Sequence, residues 1–257
     1  MRIAVVSDIH GNLTALEAVI ADLAGVGADL VVQGGDLVAN GSSPAAVLDR
    51  VRDLGWPGVL GNTDEMLWDE APLVALLDRA PALGPLLRTL RTDVIPATQA
   101  ALGDDRLAWL RLLPPAWSGD GLTVVHASPG DCWRSPQVEA SDDELRAVYG
   151  ALHARRVVYG HIHRPFVRSL PAPLVMNAGR VGLPSFVVNA GSVGLPYDGD
   201  RRASYAVVDG DTIAIRRVVY DVEREIRMLL SRAAPQAAWL ARVLRAGTYV
   251  PPDEPGA

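Results

Sequence analysis

A carboxylate and an imidazole, Asp8 and His10, stand two residues apart in the first loop of the chain. Five further residues able to hold a metal ion follow at comparable places: Asp36, Asn62, His126, His161 and His163. Each comes after a short apolar run, or after such a run and one or two glycines. Four of the five histidines fall in this set, so the placement is informative. The donors are carboxylate, imidazole and amide oxygen, with no thiolate. That mixture suits Mn²⁺, Fe, Zn²⁺ or Ni²⁺ rather than Ca²⁺. Seven ligands are too many for one ion and about right for two that share a carboxylate. Two ions about 3.5–4 Å apart can clamp a phosphoryl group and generate hydroxide at neutral pH. The expected cofactor is two divalent transition-metal ions, manganese first, with iron, zinc or nickel as alternatives.

The elements around these residues must bring them together. Ile3-Ala4-Val5-Val6 reads as a buried strand, and Leu13, Leu16, Val19, Ile20 and Leu23 follow with helical period. Asn12 is placed as N-cap of that helix, and Gly25 and Gly27 as its stop. Asp29–Gln33 is a second strand running into Gly34-Gly35-Asp36. Ser43-Pro44 opens a second helix, and Pro57–Leu60 is a third strand running into Gly61-Asn62-Thr63-Asp64. A β-α-β-α-β order implies a parallel sheet whose ligands gather at the carboxyl ends of its strands. Leucines between 73 and 90 mark short helices split near Pro81, and Thr98–Leu113 marks another. This helical insert, about 65–118, reads as a cap over the site, as an oligomer contact or as extra packing. Strands resume at 122–126 and 156–159, with a helix at 142–152. From 170 to 219 strand and turn alternate, which implies an antiparallel second sheet. Helices at 221–232 and 236–246 close a single domain of residues 1–248, and the Pro-rich tail, 249–257, is expected to be disordered. Residues 175–184 are echoed at 187–196, with Asn177 matching Asn189.

The chain has 257 residues, 49% of them hydrophobic and 21% charged, with a formal net charge of −6. This is ordinary globular composition with room for a sizeable core. The acidic balance argues against broad nucleic-acid binding. No apolar stretch approaches the length of a membrane span, and no signal peptide precedes Asp8, so a cytoplasmic location is expected. Cys132 is the single cysteine and allows no internal disulfide. It reads as a bystander, and His153 as a surface residue.

The segments Asp8-x-His10, Gly35-Asp36, Gly61-Asn62-x-Asp64, His126 and Gly160-His161-x-His163 resemble the calcineurin-like metallophosphoesterases. Asn189-Ala190-Gly191-Ser192-Val193-Gly194 resembles a stretch of the small bacterial and archaeal phosphodiesterases of that superfamily. The resemblance implies a four-layer α/β-β-α sandwich with a two-metal site at its rim. It implies that Asp8, His10, Asp36 and His163 hold one ion. Asp36, Asn62, His126 and His161 would hold the other, with Asp36 bridging. The implied reaction is hydrolysis of a small phosphodiester by metal-activated hydroxide, with Asn62 and Arg164 offsetting charge on the phosphoryl oxygens. Alternatives are a phosphomonoesterase, a protein or dinucleotide phosphatase of the same superfamily, or a binding scaffold that has lost the chemistry.

One position departs from the family. Its usual Gly-Asn-His-Asp/Glu carries a His that assists the leaving group, and here that position is Thr63. A threonine is no general acid near neutral pH, so esters with good leaving groups are favoured, and Asp64 loses the partner it would orient. Asn12, Asn189 and Ser192 are candidates for contacting substrate. No membrane partner is expected, and a homo-oligomer is compatible with the sequence.

Overall fold

In the computed structural model, residues 1–170, 183–232 and 236–252 are described. Among these residues nine strands form two sheets. In chain order the elements are β1 (Arg2–Val6), α1 (Leu13–Val26), β2 (Leu30–Gln33), α2 (Pro44–Asp53), α3 (Asn62–Glu65), α4 (Ala71–Arg79), α5 (Gly84–Thr89), α6 (Ile95–Leu110), β3 (Ala116–Gly119), β4 (Leu122–Val125), α7 (Asp142–Tyr149), β5 (Arg156–Tyr159), β6 (Phe166–Ser169), β7 (Phe186–Asn189), β8 (Ala203–Asp209), β9 (Thr212–Val218), α8 (Val222–Ser231) and α9 (Ala237–Ala246). The first sheet has the order β2-β1-β8-β9 and the second β3-β4-β5-β7-β6.

The two sheets meet face to face. Ile3, Val5, Val32, Ala206 and Val208 of the first pack against Leu122, Val124, Val158 and Val188 of the second. Side chains alternate across a strand, so Ala4, Val6 and Val207 point the other way and pack with α1 and α2. On the far side of the second sheet, Leu145 and Tyr149 of α7 cover Val125, Val157, Tyr159 and Val187. The result is helix, sheet, sheet, helix, the four layers expected. The Asn12 side chain caps α1 by accepting from the Ala15 amide, and Gly27 ends it at φ 64°.

Topology departs from the sequence reading in three places. Pro57–Leu60 forms no strand and touches β2 only through a bridge between Gln33 and Gly58. Proline lacks the donor a ladder needs, and Gly58 lies so close to Gln33 that a side chain would collide with it. Second, β8 and β9 do not build a separate antiparallel sheet. β8 pairs antiparallel with β1, and β9 lies outside it at the edge. Third, the second sheet is mixed: β4, β5 and β7 run parallel, and β3 and β6 add antiparallel edges. The edge strands β3 and β6 are short and half-exposed, which left them little apolar pattern to read.

The insert is helical to Leu110, and β3 follows, so its strand boundary falls just inside the expected range. Helix α6 starts at Ile95, earlier than expected, with Pro96 in its first turn, and it kinks at Gly103 (φ 69°). Leu73, Leu87, Leu90, Val94 and Ile95 of the insert pack on Met66 and Ala39, next to the loops that carry ligands. At the C-terminal end, Tyr249 and Val250 pack with α8 and α9, and the Val250 carbonyl accepts from the Trp239 indole. Asn177, with most of the first copy of the repeat, and the last five residues lie outside the described residues. No helix among the described residues is long and apolar enough to cross a membrane.

Candidate metal centre

The ligands sit in loops at the carboxyl ends of β1, β2, β4 and β5 and at the start of α3. Adjacent loops are tied by backbone hydrogen bonds. The amides of Asp8 and His10 donate to the carbonyls of Gly35 and Asp36, so the first two loops run side by side. The Gly160 amide donates to the His126 carbonyl, and the His161 amide donates to both oxygens of Asp8. Asp8, His10, Asp36, His161 and His163 all have left-handed backbones, with φ between 51° and 66°. Such conformations are costly for non-glycine residues and gather at functional sites. Five of the seven predicted ligands share this strain.

The ring nitrogens show what the cluster is built for. His10 Nδ1 lies 3.1 Å from the Ala39 carbonyl, His163 Nδ1 2.5 Å from that of Leu195, and His126 Nδ1 2.8 Å from that of Gly34. A carbonyl only accepts, so each Nδ1 carries the proton and each Nε2 of a neutral ring presents a lone pair. His10 Nε2 and His163 Nε2 face each other at 3.1 Å, and Asp8 Oδ1 is 3.2 Å from the latter. His126 Nε2 faces Asn62 Oδ1 at 2.9 Å, and His161 Nδ1 is equally close to that oxygen. Lone pairs held this close need a cation or a proton between them. The donor chemistry therefore fits a metal at both places.

Asp36 joins the two groups. Its Oδ2 lies 3.6 Å from His10 Nε2, and its Oδ1 lies 3.5 Å from His126 Nε2. Potential ligand atoms of Asp8, His10, Asp36 and His163 all fall within 4.8 Å of one another. Burial and the neighbouring His163 push the His10 pKa down to about 4. Burial and His126 do the same for His161, also to about 4. Both rings are neutral near pH 7 and ready to ligate. Burial opposes ionisation of Asp8, but His163, His126 and His10 outweigh it and hold the carboxyl well below its usual range.

The other predicted residues are occupied differently. Asp64 is fully buried and accepts from the amides of Leu37 and Val38, which fixes the loop after Asp36. Burial and the charge of Asp36 push its pKa up to about 7. Asn12 donates to the Gly194 carbonyl while capping α1. Asn189 donates to the Gly160 carbonyl and accepts from the Gly191 amide. Ser192 donates to the Asp8 carbonyl and accepts from the Leu195 amide. These three side chains hold ligand loops in place. Arg164 is half-exposed and pairs with Glu139 at 3.2 Å. The Thr63 amide donates to Asp36 Oδ1, and its buried hydroxyl has no partner. His153 is exposed, and Cys132 contacts Glu65 rather than any ligand.

Sequence reasoning missed Tyr197, whose ring stacks on His163 at 4.5 Å between centroids. No periodicity marks it, because it lies in a loop. Also missed was the close approach at Gly160. A Cβ there would collide with Ser7 Oγ and Asp8 Oδ2. Gly160→Ala is expected to lower Mn²⁺ affinity about 10- to 100-fold by pushing the Asp8 carboxylate aside. Calorimetric titration checks this, with circular dichroism showing the fold retained.

A paired-carboxylate and histidine cage at the rim of a four-layer sandwich defines a metallophosphoesterase. Comparison with known proteins agrees. Residues 1–212 match the model of the calcineurin-like phosphoesterase superfamily domain, and the chain belongs to that superfamily. An uncharacterized protein of Methanocaldococcus jannaschii is 32% identical over 257 residues, covering 95% of this chain and 98% of its own. The crystal structure of a metallophosphoesterase from Sphaerobacter thermophilus is similar, with TM-score 0.74 and 29% identity over 96% of this chain and 99% of that one. A hypothetical protein from Pyrococcus horikoshii OT3 shares the fold at 18% identity, with TM-score 0.75 over 97% of this chain and 99% of its own.

Proposed function

We propose that this protein is a two-metal phosphodiesterase acting on a small phosphoester, with Mn²⁺ the best-suited ion. The observation that carries this reading is the pair of lone-pair clusters sharing Asp36. Asp8, His10, Asp36 and His163 would hold one ion, and Asp36, Asn62, His126 and His161 the other. When bound, the two ions supply an activated water and neutralise charge on the phosphoryl oxygens. The chain's own work is to fix the donors. Three backbone carbonyls set the histidine tautomers, and Asp64 and the Thr63 amide hold Asp36 between the two clusters, where it could serve both ions.

Among the described residues, no histidine at this cage is left over to give a proton to the leaving group. Thr63 stands where the family carries a histidine, and the other four site histidines are committed as ligands. The reading therefore favours diesters with acidic leaving groups. A positioned general acid is worth about 10²–10⁴-fold. Hydrolysis is accordingly expected to fall by at least about 10²-fold from bis-p-nitrophenyl phosphate to a diester with an alkyl leaving group. A panel of aryl and alkyl diesters checks this, and a shallow dependence on leaving-group pKa would contradict the absence of an acid.

The phosphodiester reading is tested by assaying bis-p-nitrophenyl phosphate and p-nitrophenyl phosphate with Mn²⁺ and with chelator. The diester is expected to be cleaved faster, and only with metal. Faster cleavage of the monoester would move the protein to the monoesterase class.

A further inference from the structure

A cavity of about 530 Å³ opens beside the metal centre. One candidate ligand, His126, is among its lining residues, so the cavity reaches the edge of the metal centre. The walls come from two segments: the insert, through Pro72, Ala75, Leu76 and Arg79 of α4, and the loop 128–134 after β4. The size is that of a small-molecule site, and most of the wall is apolar. Four charged residues line it. Glu65 accepts from the Trp133 indole at 2.6 Å and from Cys132 at 3.4 Å, and Asp131 accepts from the Trp133 amide at 2.8 Å. Those two carboxylates are turned to neutral donors. Arg79 and Arg134 are exposed at the rim, and among the described residues neither guanidinium has an ion-pair partner. Two guanidiniums without a carboxylate partner over one cavity can meet an anion there.

We infer that this cavity receives one ester group of the substrate, and that this group is a ring system carrying a second phosphate, which Arg79 and Arg134 hold at the rim. The apolar walls suit the ring, and two guanidiniums match a dianion through forked hydrogen bonds. The inference rests on the phosphodiester reading and adds the substrate class to it. It also gives the insert a role as the wall that selects substrate.

The test uses two substrates with the same scissile bond, thymidine 5′-p-nitrophenyl phosphate and its 3′-phosphorylated counterpart, with Mn²⁺-loaded protein. The 3′-phosphorylated ester is expected to have the higher kcat/KM. Arg79→Ala and Arg134→Ala are each expected to lower its kcat/KM about tenfold, mainly through KM. The unphosphorylated ester should stay within about twofold, as expected where only a contact to the second phosphate is lost. Both side chains are exposed, so the variants should fold. Calorimetry with thymidine 3′,5′-bisphosphate and thymidine 5′-phosphate gives a second readout that needs no turnover. Arg-dependent preference for the bisphosphate without cleavage of either ester would sustain the pocket and remove the phosphodiester reading. Cleavage of both esters with no Arg-dependent difference would remove the pocket assignment and leave the phosphodiester reading intact. Neither cleavage nor binding would overturn both.

Discussion

Asp36→Asn is expected to lower kcat/KM for bis-p-nitrophenyl phosphate by about three orders of magnitude, with the fold retained. Asp36 is the one side chain whose two oxygens face the two lone-pair clusters, at 3.6 Å from His10 Nε2 and 3.5 Å from His126 Nε2. An amide keeps the shape and removes the charge, and it leaves an N–H₂ facing one of the two sets of donors. The Thr63 amide, which donates to Asp36 Oδ1 at 2.8 Å, then meets either a weaker acceptor or another donor. Bound metal per chain should fall along with activity. His161→Ala touches only one cluster, so it should remove activity while keeping part of the metal. Steady-state kinetics paired with elemental analysis of the purified variants check both. Retained activity in either variant would refute the two-metal assignment.

Stripping the metal is expected to lower Tm by roughly 8–16 °C, and Mn²⁺ should restore it. The physical reason lies in the apo centre. Asp8, Asp36 and Asp64 are at 0%, 2% and 0% exposure, beside the facing nitrogens of His10 and His163. Buried carboxylates and opposed lone pairs are tolerable only with positive charge among them. A cation that binds the folded chain at a thousand times its Kd contributes about 4 kcal/mol. For a chain of this size each kcal/mol moves Tm by about 2–4 °C. Thermal melts with chelator and with a Mn²⁺ titration measure the shift. The Asp36→Asn variant should show a smaller one, because its apo centre carries one buried charge fewer and its holo centre lacks the bridge. A Tm indifferent to chelator in the wild-type protein would count against a resident metal.

The candidate ligand set was legible in the sequence because each member follows a short apolar run, directly or within a few residues. Strands β1, β2, β4 and β5 end in the loops that carry six of these residues, and the packing of the two sheets brings those loops together, while Asn62 arrives at the start of α3 after a segment that forms no strand. The donor types alone then pointed to metal chemistry. Thr63, read against the family pattern, already pointed to a missing acid.

Other features depended on partners that local pattern does not carry. Periodicity shows that 203–218 is extended, but β8 finds β1 because Ala206 and Val208 complete the face opposite Leu122 and Val188. The roles of Asn12, Asn189, Ser192 and Asp64 rest on which backbone groups lie within hydrogen-bond reach, and those come from loops up to 184 residues away. The same holds for the cavity, whose walls join α4 to the loop 128–134. By itself the sequence determined the class of chemistry, since that follows from residue types and strand ends. Only the tertiary structure decided how the candidate ligands are held and which ring nitrogens are free, since those are properties of distances between segments remote in the chain.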